Sequence, residues 1–186
     1  MRVIAGSARR TPLVAPGGLE TRPTSDMAKE GLFNILTPKL SGASFLDLYS
    51  GSGAIGIEAL SRGAKEAVFV DKSPAAIEAL KANLKKTRLG ENAYIHHADS
   101  METIVKLCAN STKFSIIFID PPYSCDLLPR TLETLSGNNI LDEGGLVVAE
   151  SDSKQIDNIP SSLYLTGTRK YGRAFFHFFK AVRVIT

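Results

Sequence analysis

The sequence lacks the features that mark membrane, secreted and disulfide-rich proteins. It has no run of about 18 apolar residues, so no membrane-spanning helix is expected. Its opening, MRVIAGSARR, lacks the long apolar stretch of a secretory signal. It has only two cysteines, Cys108 and Cys125, which are too few for a disulfide framework or a zinc knuckle. We therefore expect a cytoplasmic protein.

Length and composition predict one globular domain. Of the 186 residues, 44% are hydrophobic and 22% are charged, which supplies enough apolar material for a core. No internal repeat or long linker divides the chain. We predict a single domain over residues 1–186, in which residues 1–23 form an N-terminal β-hairpin extension. No feature requires an obligate dimer, so we expect a monomer.

Positive charge is concentrated at the two ends of the chain. Residues 1–40 contain six basic and three acidic side chains, and residues 164–186 contain five basic and no acidic side chains. Because the net charge is only +3, the middle of the chain is net negative. Basic ends of this kind suit a polyanion such as RNA, although ordinary solvated lysine and arginine explain them equally well.

Strand and helix patterns alternate from residue 44 onward. Apolar runs without strict alternation are typical of parallel strands covered on both faces. The predicted strands are 45–49, 67–70, 93–97, 114–119, 146–149, 163–168 and 174–184. We predict a doubly wound α/β fold: a Rossmann-like, mostly parallel seven-stranded sheet with an antiparallel edge strand.

A first helix is predicted before this sheet. Thr24 or Ser25 would cap its start, and Pro38 would end it. Its apolar face is predicted to hold Ala28, Leu32, Ile35 and Leu36.

A glycine-rich loop follows the first strand of the sheet. Gly51, Gly53 and Gly56 match G-x-G-x-x-G, and Asp71 ends the next strand. Glycines let the backbone approach a ligand, and the acidic residue takes ribose hydroxyls. Taken alone, this pattern fits a nicotinamide dinucleotide and S-adenosylmethionine equally well.

The carboxylate of Asp47, just before this loop, favours S-adenosylmethionine. It would repel a pyrophosphate but attract an ammonium and a sulfonium. Each carboxylate also has a structural alternative. Asp47 could cap a turn or helix, and Asp71 could cap the turn into Ser73. Asp99 could be the N-cap of the next helix, and together with Ser100 it could also lie near adenine.

The tetrad Asp120-Pro121-Pro122-Tyr123, directly after a strand, is the most specific motif. Two prolines fix the turn and leave its carbonyls free to accept hydrogen bonds. An exocyclic base amine is a poor nucleophile. The Asp120 carboxylate and the Pro121 carbonyl would accept its two hydrogens, orient its lone pair and stabilise the developing positive charge. Tyr123 would stack on an extruded base. The alternative is a proline-rich turn that only ends a strand.

No metal is required for this chemistry, and no metal site is predicted. The adjacent histidines His96 and His97 lie in a predicted strand. Their side chains therefore point to opposite faces and cannot chelate one ion together.

The whole chain resembles the bacterial ribosomal RNA guanine-N2 methyltransferases that modify one guanosine of small-subunit (16S) RNA. The matching segments are RVIAGSARR, RPTSDMAKEGLFNIL (22–36), LDLYSGSGAIGIEALSRGA (46–64), VFVDKSP (68–74), FIDPPY (118–123) and KYGRAFFHF (170–178). Tyr49-Ser50 replaces a more usual aromatic-alanine pair, and Tyr123 stands where phenylalanine is common. Neither departure affects the predicted chemistry.

The resemblance implies a class I methyltransferase fold, S-adenosylmethionine as cofactor, S-adenosylhomocysteine as product, and a partly assembled small ribosomal subunit as partner. The residues predicted to bind the cofactor are Asp47, Tyr49, Gly51, Ser52, Gly53, Asp71, Lys72, Ser73, Asp99 and Ser100. Those predicted to hold the target amine are Asp120, Pro121, Pro122 and Tyr123. Those predicted to contact RNA are Arg9, Arg10, Arg22, Thr24 and Arg173. Arg22, Pro23 and Thr24 are implied to close over the active site.

Four other functions remain open at the level of sequence. Glutamine methyltransferases of release factors use a related tetrad that begins with asparagine, so they are less favoured. DNA adenine-N6 methyltransferases share the tetrad, although aspartate rather than asparagine at position 120 favours guanine in ribosomal RNA. A nucleic-acid-binding module with an inactive cofactor site is disfavoured by the intact Asp47, Asp71 and Asp120. A nicotinamide oxidoreductase is the fourth alternative.

Overall fold

The computed structural model describes residues 1–17, 25–122 and 126–182. Its strands are β1 (Ser44–Leu48), β2 (Glu66–Asp71), β3 (Ala93–His97), β4 (Phe114–Ile119), β5 (Leu141–Ser151), β6 (Leu163–Tyr171) and β7 (Ala174–Ala181). They form one seven-stranded sheet in the order β3-β2-β1-β4-β5-β7-β6. Strands β1 to β5 are parallel, and β7 is antiparallel to both β5 and β6. The predicted fold class is confirmed.

Helices cover both faces of the sheet. They are α1 (Asp26–Leu40), α2 (Ala54–Ser61), α3 (Pro74–Thr87), α4 (Ser100–Ala109) and α5 (Leu127–Gly137). Helices α1, α2 and α3 share one apolar cluster with one face of the sheet, and α4 and α5 share a second cluster with the other face. Because both faces are covered, the central strands have the continuous apolar sequences noted above. Within the described ranges, no helix is long and apolar enough to cross a membrane.

Strand β5 is longer than its apolar run predicts. It begins at Leu141, although the predicted strand begins at residue 146. The register against β4 shifts between Phe114 and Ile116, and Gly144 has φ 73°. The polar, glycine-containing start of the strand is therefore irregular, and it shows no strand pattern in the sequence.

Helix α1 starts as predicted but does not end at Pro38. The Ser25 side chain accepts a hydrogen bond from the Ala28 N–H and caps the helix, and Thr24 lies outside the described residues. The helix runs through Pro38 to Leu40. A proline in the last turn removes a single backbone donor, and burial of Leu40 offsets that cost.

The core face of α1 differs from the predicted one at a single position. Ala28, Leu32 and Leu36 are buried as predicted, but Ile35 is 38% exposed. Phe33 is fully buried instead, and the Arg62 guanidinium lies 5.0 Å from its ring centroid.

The N-terminal segment folds back on itself as predicted, with one isolated antiparallel bridge between Arg2 and Pro12. Backbone hydrogen bonds cross it from Val3 to Thr11 and from Leu13 to Met1, at 3.0 and 3.1 Å. Other donors of the segment bond to α2. The N–H groups of Ile4 and Ala5 donate to the Glu58 carboxylate at 2.7 and 2.9 Å. The predicted end of the extension, residues 18–23, lies outside the described residues.

A buried ion pair holds this segment to the domain. The Lys29 ammonium lies 3.3 Å from the Glu58 carboxylate, and both side chains are fully buried. Lys29 also donates to the Arg2 carbonyl at 2.6 Å, and Arg62 donates to Glu58 at 2.8 Å. Burial lowers the pKa of Lys29, and the Glu58 charge opposes that shift.

We expect Glu58→Gln to lower the free energy of unfolding by about 3–5 kcal/mol, because it leaves the Lys29 ammonium buried without its counter-charge. Glu102→Gln is the matched control. It breaks a pair with Lys106 in which both side chains are 69% exposed, and we expect it to cost less than about 0.5 kcal/mol. Urea unfolding at neutral pH measures both. Equal losses of unfolding free energy in the two variants would show that the buried ion pair contributes no more to stability than the exposed one.

Candidate active site

The candidate site lies where the strand order of the sheet reverses. Strands β1 and β4 are neighbours, with the chain continuing to β2 on one side and to β5 on the other. In open α/β sheets, ligands bind at the carboxyl ends of the strands at this point. Asp47 lies near the end of β1, and Asp120 directly follows β4.

The loop after β1 has the backbone that its glycines predict. Gly51 and Gly53 have φ values of 54° and 76°, a region that favours glycine. Gly56 is required for a different reason, because an added Cβ would lie 2.3 Å from the Phe69 ring. Because Gly56 has no Cβ, α2 can pack closely on the sheet, and the loop and the start of α2 are held at the carboxyl edge.

Asp47 is almost completely buried, and one of its carboxylate oxygens accepts a hydrogen bond from the Gly56 N–H at 2.9 Å. Burial, opposed by the Gly56 hydrogen bond and aided by the neighbouring Asp71 charge, raises the pKa of Asp47 to about 8. In the loop, the buried Ser50 hydroxyl has no hydrogen-bond partner among the described residues. A buried carboxyl beside an unused hydroxyl fits a ligand that brings a positive charge and polar atoms.

Asp71 caps the turn into Ser73, which was its predicted structural alternative, and its carboxylate also contacts the glycine loop. It accepts from the Gly51 N–H and from the Ser73 N–H, both at 2.8 Å. Ser73 in turn caps α3 by accepting from the Ala76 N–H. Lys72 is exposed, and its carbonyl lies 3.2 Å from a ring nitrogen of His97. Asp71 therefore ties the carboxyl end of β2 to the loop beside Asp47.

Asp99 is the N-cap of α4. One of its carboxylate oxygens accepts from the N–H groups of Met101 and Glu102, at 2.9 and 3.3 Å. Ser100 beside it is buried. Tyr49, at φ 59°, places its hydroxyl 2.7 Å from the Thr131 hydroxyl of α5. Burial raises the pKa of Tyr49, and the Asp99 charge contributes, so these two residues are neighbours.

Asp120 and its two prolines form the second half of the site. Asp120 is half-buried. Burial, with the charges of Glu150 and Asp47, raises its pKa well above the usual range. Pro121 is buried and Pro122 is exposed, while Tyr123 lies outside the described residues. No group of three or more His, Cys, Asp or Glu side chains within the described ranges is arranged to hold a metal ion.

The residues predicted to contact RNA lie in different places. Arg173 is exposed in the β6–β7 turn, next to the end of β5 and therefore at the same edge as Asp120. Arg9 and Arg10 are exposed in a loop held by Ser61, at the far end of α2. The eight residues of α2 separate that loop from the glycine loop by roughly 12 Å. Arg22 and Thr24 lie outside the described residues.

Two residues of this region were missed in the sequence. Glu150 is buried near the carboxyl end of β5, and the rule that selected the other carboxylates would have found it. Asn83 is buried in α3 and donates to the carbonyls of Ser52 and Val14, both at 2.9 Å. Its signal is a polar side chain on the apolar stripe between Leu80 and Leu84. It joins the N-terminal segment to the glycine loop.

Comparison with known proteins agrees with this geometry. Residues 1–180 match the family model described as conserved hypothetical protein 95. The "Putative rRNA methyltransferase YlbH" of Bacillus subtilis is 39% identical over 173 residues, covering 92% of this chain and 94% of that protein. The "Ribosomal RNA small subunit methyltransferase D" of Escherichia coli is 32% identical over 181 residues, covering 97% and 89%.

Solved structures share the fold. The "Putative methyltransferase yhhF" of Escherichia coli has a TM-score of 0.83 at 32% identity, and the match covers 97% of both chains. SMU.776, a methyltransferase structure complexed with SAH, has a TM-score of 0.67 at 18% identity, covering 85% of this chain and 50% of that one. At that identity the likeness shows the fold alone.

The fold and the arrangement of the site define a class I methyltransferase domain. The chain belongs to the family described as conserved hypothetical protein 95. It is also similar to the two proteins above whose names describe them as ribosomal RNA methyltransferases. The family resemblance inferred from the sequence is confirmed.

Proposed function

We propose that this protein transfers a methyl group from S-adenosylmethionine to the exocyclic N2 amine of a guanosine in small-subunit ribosomal RNA. The observation that carries the proposal is the position of Asp120. It directly precedes two prolines at the switch point of the sheet, near the buried Asp47. Relatives named as ribosomal RNA methyltransferases support the substrate. The choice of guanine rests on the family resemblance and on aspartate at position 120.

The cofactor would be held by this chain's loop residues. Asp47 would bind its ammonium, the loop from Gly51 to Gly53 would line its methionine portion, and Asp71 would bind ribose hydroxyls through lone pairs that its two backbone bonds leave free. Asp99 with Ser100 would lie at adenine. When bound, S-adenosylmethionine supplies an electrophilic methyl group.

The chain's contribution to the reaction is to prepare the amine. The Asp120 carboxylate and the Pro121 carbonyl accept its two hydrogens, which directs the nitrogen lone pair toward the methyl group. As nitrogen gains positive charge, the Asp120 carboxylate stabilises it and then takes the proton. Burial raises the pKa of Asp120, so this group binds a proton more strongly than an exposed aspartate does.

The RNA would approach the carboxyl edge of the sheet. Arg173 lies there, and Lys170 is held nearby with its ammonium 5.1 Å from the Phe175 ring centroid. Arg9 and Arg10 at the far end of α2 would contact a second region of RNA. The partner we propose is a partly assembled small subunit in the cytoplasm, bound by a monomer of this protein.

Arg173→Gln is expected to weaken RNA binding and to flatten the salt dependence of log K by about one phosphate contact. A double variant, Arg9→Gln with Arg10→Gln, is expected to flatten it by up to about two contacts. Lys86→Gln is the matched control, because Lys86 is an exposed cation at the end of α3, away from the carboxyl edge. Salt titrations of RNA binding measure all three. A slope for Arg173→Gln equal to that of the control would remove Arg173 from the interface.

Methyl transfer from labelled S-adenosylmethionine tests the proposed function against its alternatives. The substrates are small-subunit particles from cells lacking guanine-N2 activity, naked ribosomal RNA and duplex DNA. We expect label in RNA. Label confined to DNA would favour an adenine-N6 methyltransferase. Calorimetry without detectable binding of S-adenosylmethionine would favour an inactive cofactor site, and enhanced NADH fluorescence would favour an oxidoreductase.

A further inference from the structure

Glu150 and Asp120 are brought together by the register of β4 and β5. Ile119 pairs with Ala149, so the next residues along the two strands, Asp120 and Glu150, are also neighbours. Side chains alternate between faces, and Phe118 and Val148 belong to the same apolar cluster. Asp120 and Glu150 therefore point to the same side of the sheet. The Glu150 charge acts directly on Asp120, which agrees with this placement.

A cavity of about 340 Å³ opens beside this pair. Glu150, Pro121 and Pro122 line it, together with the start of α5 and residues 151–153 and 155–158 after β5. Its volume lies within the range of small-molecule pockets, which is about 300–1,000 Å³. Glu150 is buried, with 4% of its surface exposed, yet it forms part of the wall. The cavity thus adjoins both prolines and the residue that carries the second carboxyl group.

The edge of guanine that carries the N2 amine presents three hydrogens side by side. The N2 amine supplies two hydrogens, and the adjacent N1 supplies a third. Adenine places an unprotonated nitrogen next to its amine instead. A carboxylate beside Asp120 would accept the N1–H of guanine but would face the lone pair of adenine N1. Two carboxyl groups side by side therefore match the guanine edge and oppose the adenine edge.

We propose that Glu150 is a specificity-determining residue of the substrate pocket, where it accepts the N1–H of the guanine whose N2 amine is held by Asp120. This assignment rests on the proposed guanine-N2 activity and adds a base-reading residue to it. The groups that face Asp120 across the sheet are Glu150 of β5 and Asp47 of β1. Asp47 is on the β1 side of Asp120, next to the glycine loop, and Glu150 is on the β5 side, where the end of that strand lines the cavity.

The test replaces the target guanine with 2-aminopurine in an oligoribonucleotide. This base keeps the 2-amino group but has an unprotonated N1. We expect the kcat/KM of wild-type protein to be at least about tenfold higher for the guanine oligonucleotide than for the 2-aminopurine oligonucleotide. The reason is that a polar pocket rejects a base that lacks the hydrogen the pocket accepts. Glu150→Gln should narrow this ratio severalfold, since its amide can donate to the unprotonated N1.

Asp152→Asn is the matched control, because Asp152 is an exposed carboxylate lining the same cavity. It should keep the wild-type ratio, and both variants should bind S-adenosylmethionine as the wild type does in calorimetry. A wild-type ratio near one would overturn the assignment even if Glu150→Gln did not fold. So would an unchanged ratio in a folded Glu150→Gln variant. Absence of methylation of guanine by wild-type protein would instead refute the proposed function itself.

Discussion

Alanine at position 120 is expected to lower kcat by about 10²-fold or more, which is the scale for losing one preorganised polar contact to the transition state. Asp120 supplies both the acceptor that orients the amine and the base that receives its proton. Affinity for S-adenosylmethionine should stay within a few fold of the wild-type value, because Asp47 and the glycine loop are untouched. Single-turnover methyl transfer and calorimetry measure the two quantities separately.

Asp126→Ala is the matched control for this variant. Asp126 is exposed at the start of α5, lines the same cavity and makes no side-chain capping bond. It should leave kcat near the wild-type value. An Asp120→Ala protein with near-normal turnover would remove Asp120 from the mechanism.

Asp47→Asn is expected to weaken binding of S-adenosylmethionine by about 10²-fold, the scale for losing one partner of a buried charge pair. Asparagine keeps the volume and an oxygen that can accept from the Gly56 N–H, so the loop should keep its shape. Ser44→Ala is a suitable control, because Ser44 lies at the other end of β1, where its hydroxyl donates to Glu66 of β2. Calorimetry gives the two dissociation constants. Equal affinities in Asp47→Asn and wild type would show that Asp47 does not contact the ammonium.

The same residue gives the binding a distinctive pH dependence. Burial raises the pKa of Asp47 to about 8, so the free protein holds this carboxyl protonated at pH 6. An ammonium requires the ionised form. Wild-type affinity should therefore rise from pH 6 toward pH 8, by up to about tenfold per pH unit. Asp47→Asn should lack this rise.

The raised pKa of Asp47 also determines the direction in which the stability of the folded protein changes with pH. The folded protein binds this proton more tightly than the unfolded chain, whose aspartates have a pKa near 3.9. The stabilisation from that proton is present at low pH and is lost as pH rises through about 8. Asp47→Asn should therefore be more stable than wild type at pH 8, with the difference shrinking toward pH 4.

The parts of the fold that follow from local patterns were predictable. Strands β3 and β4 have the predicted limits because their apolar runs are bounded by turn residues. The cap of α3 at Ser73 was predictable because Ser-Pro fits the start of a helix. The carboxylates at the strand ends could be assigned to one edge, because parallel strands end on the same side of a sheet.

The features that depend on distant contacts were not predictable. The N-terminal segment reads as a hairpin, but no local pattern shows that the Ile4 and Ala5 N–H groups bond to Glu58, more than fifty residues away in sequence. The end of α1 reads as a stop at Pro38, but packing of Leu40 carries the helix further. The pairing of Asp120 with Glu150 depends on the register between β4 and β5, which no local pattern reports.

The most direct test of the proposed function is the chemical identity of the methylated nucleoside. Small-subunit particles are incubated with the protein and labelled S-adenosylmethionine, and their RNA is digested and analysed by chromatography and mass spectrometry. We expect label in N2-methylguanosine, with an initial rate of labelling about 10²-fold or more lower when Asp120→Ala is used under the same conditions. Label in N6-methyladenosine, or in any nucleoside equally with wild type and Asp120→Ala, would contradict this expectation.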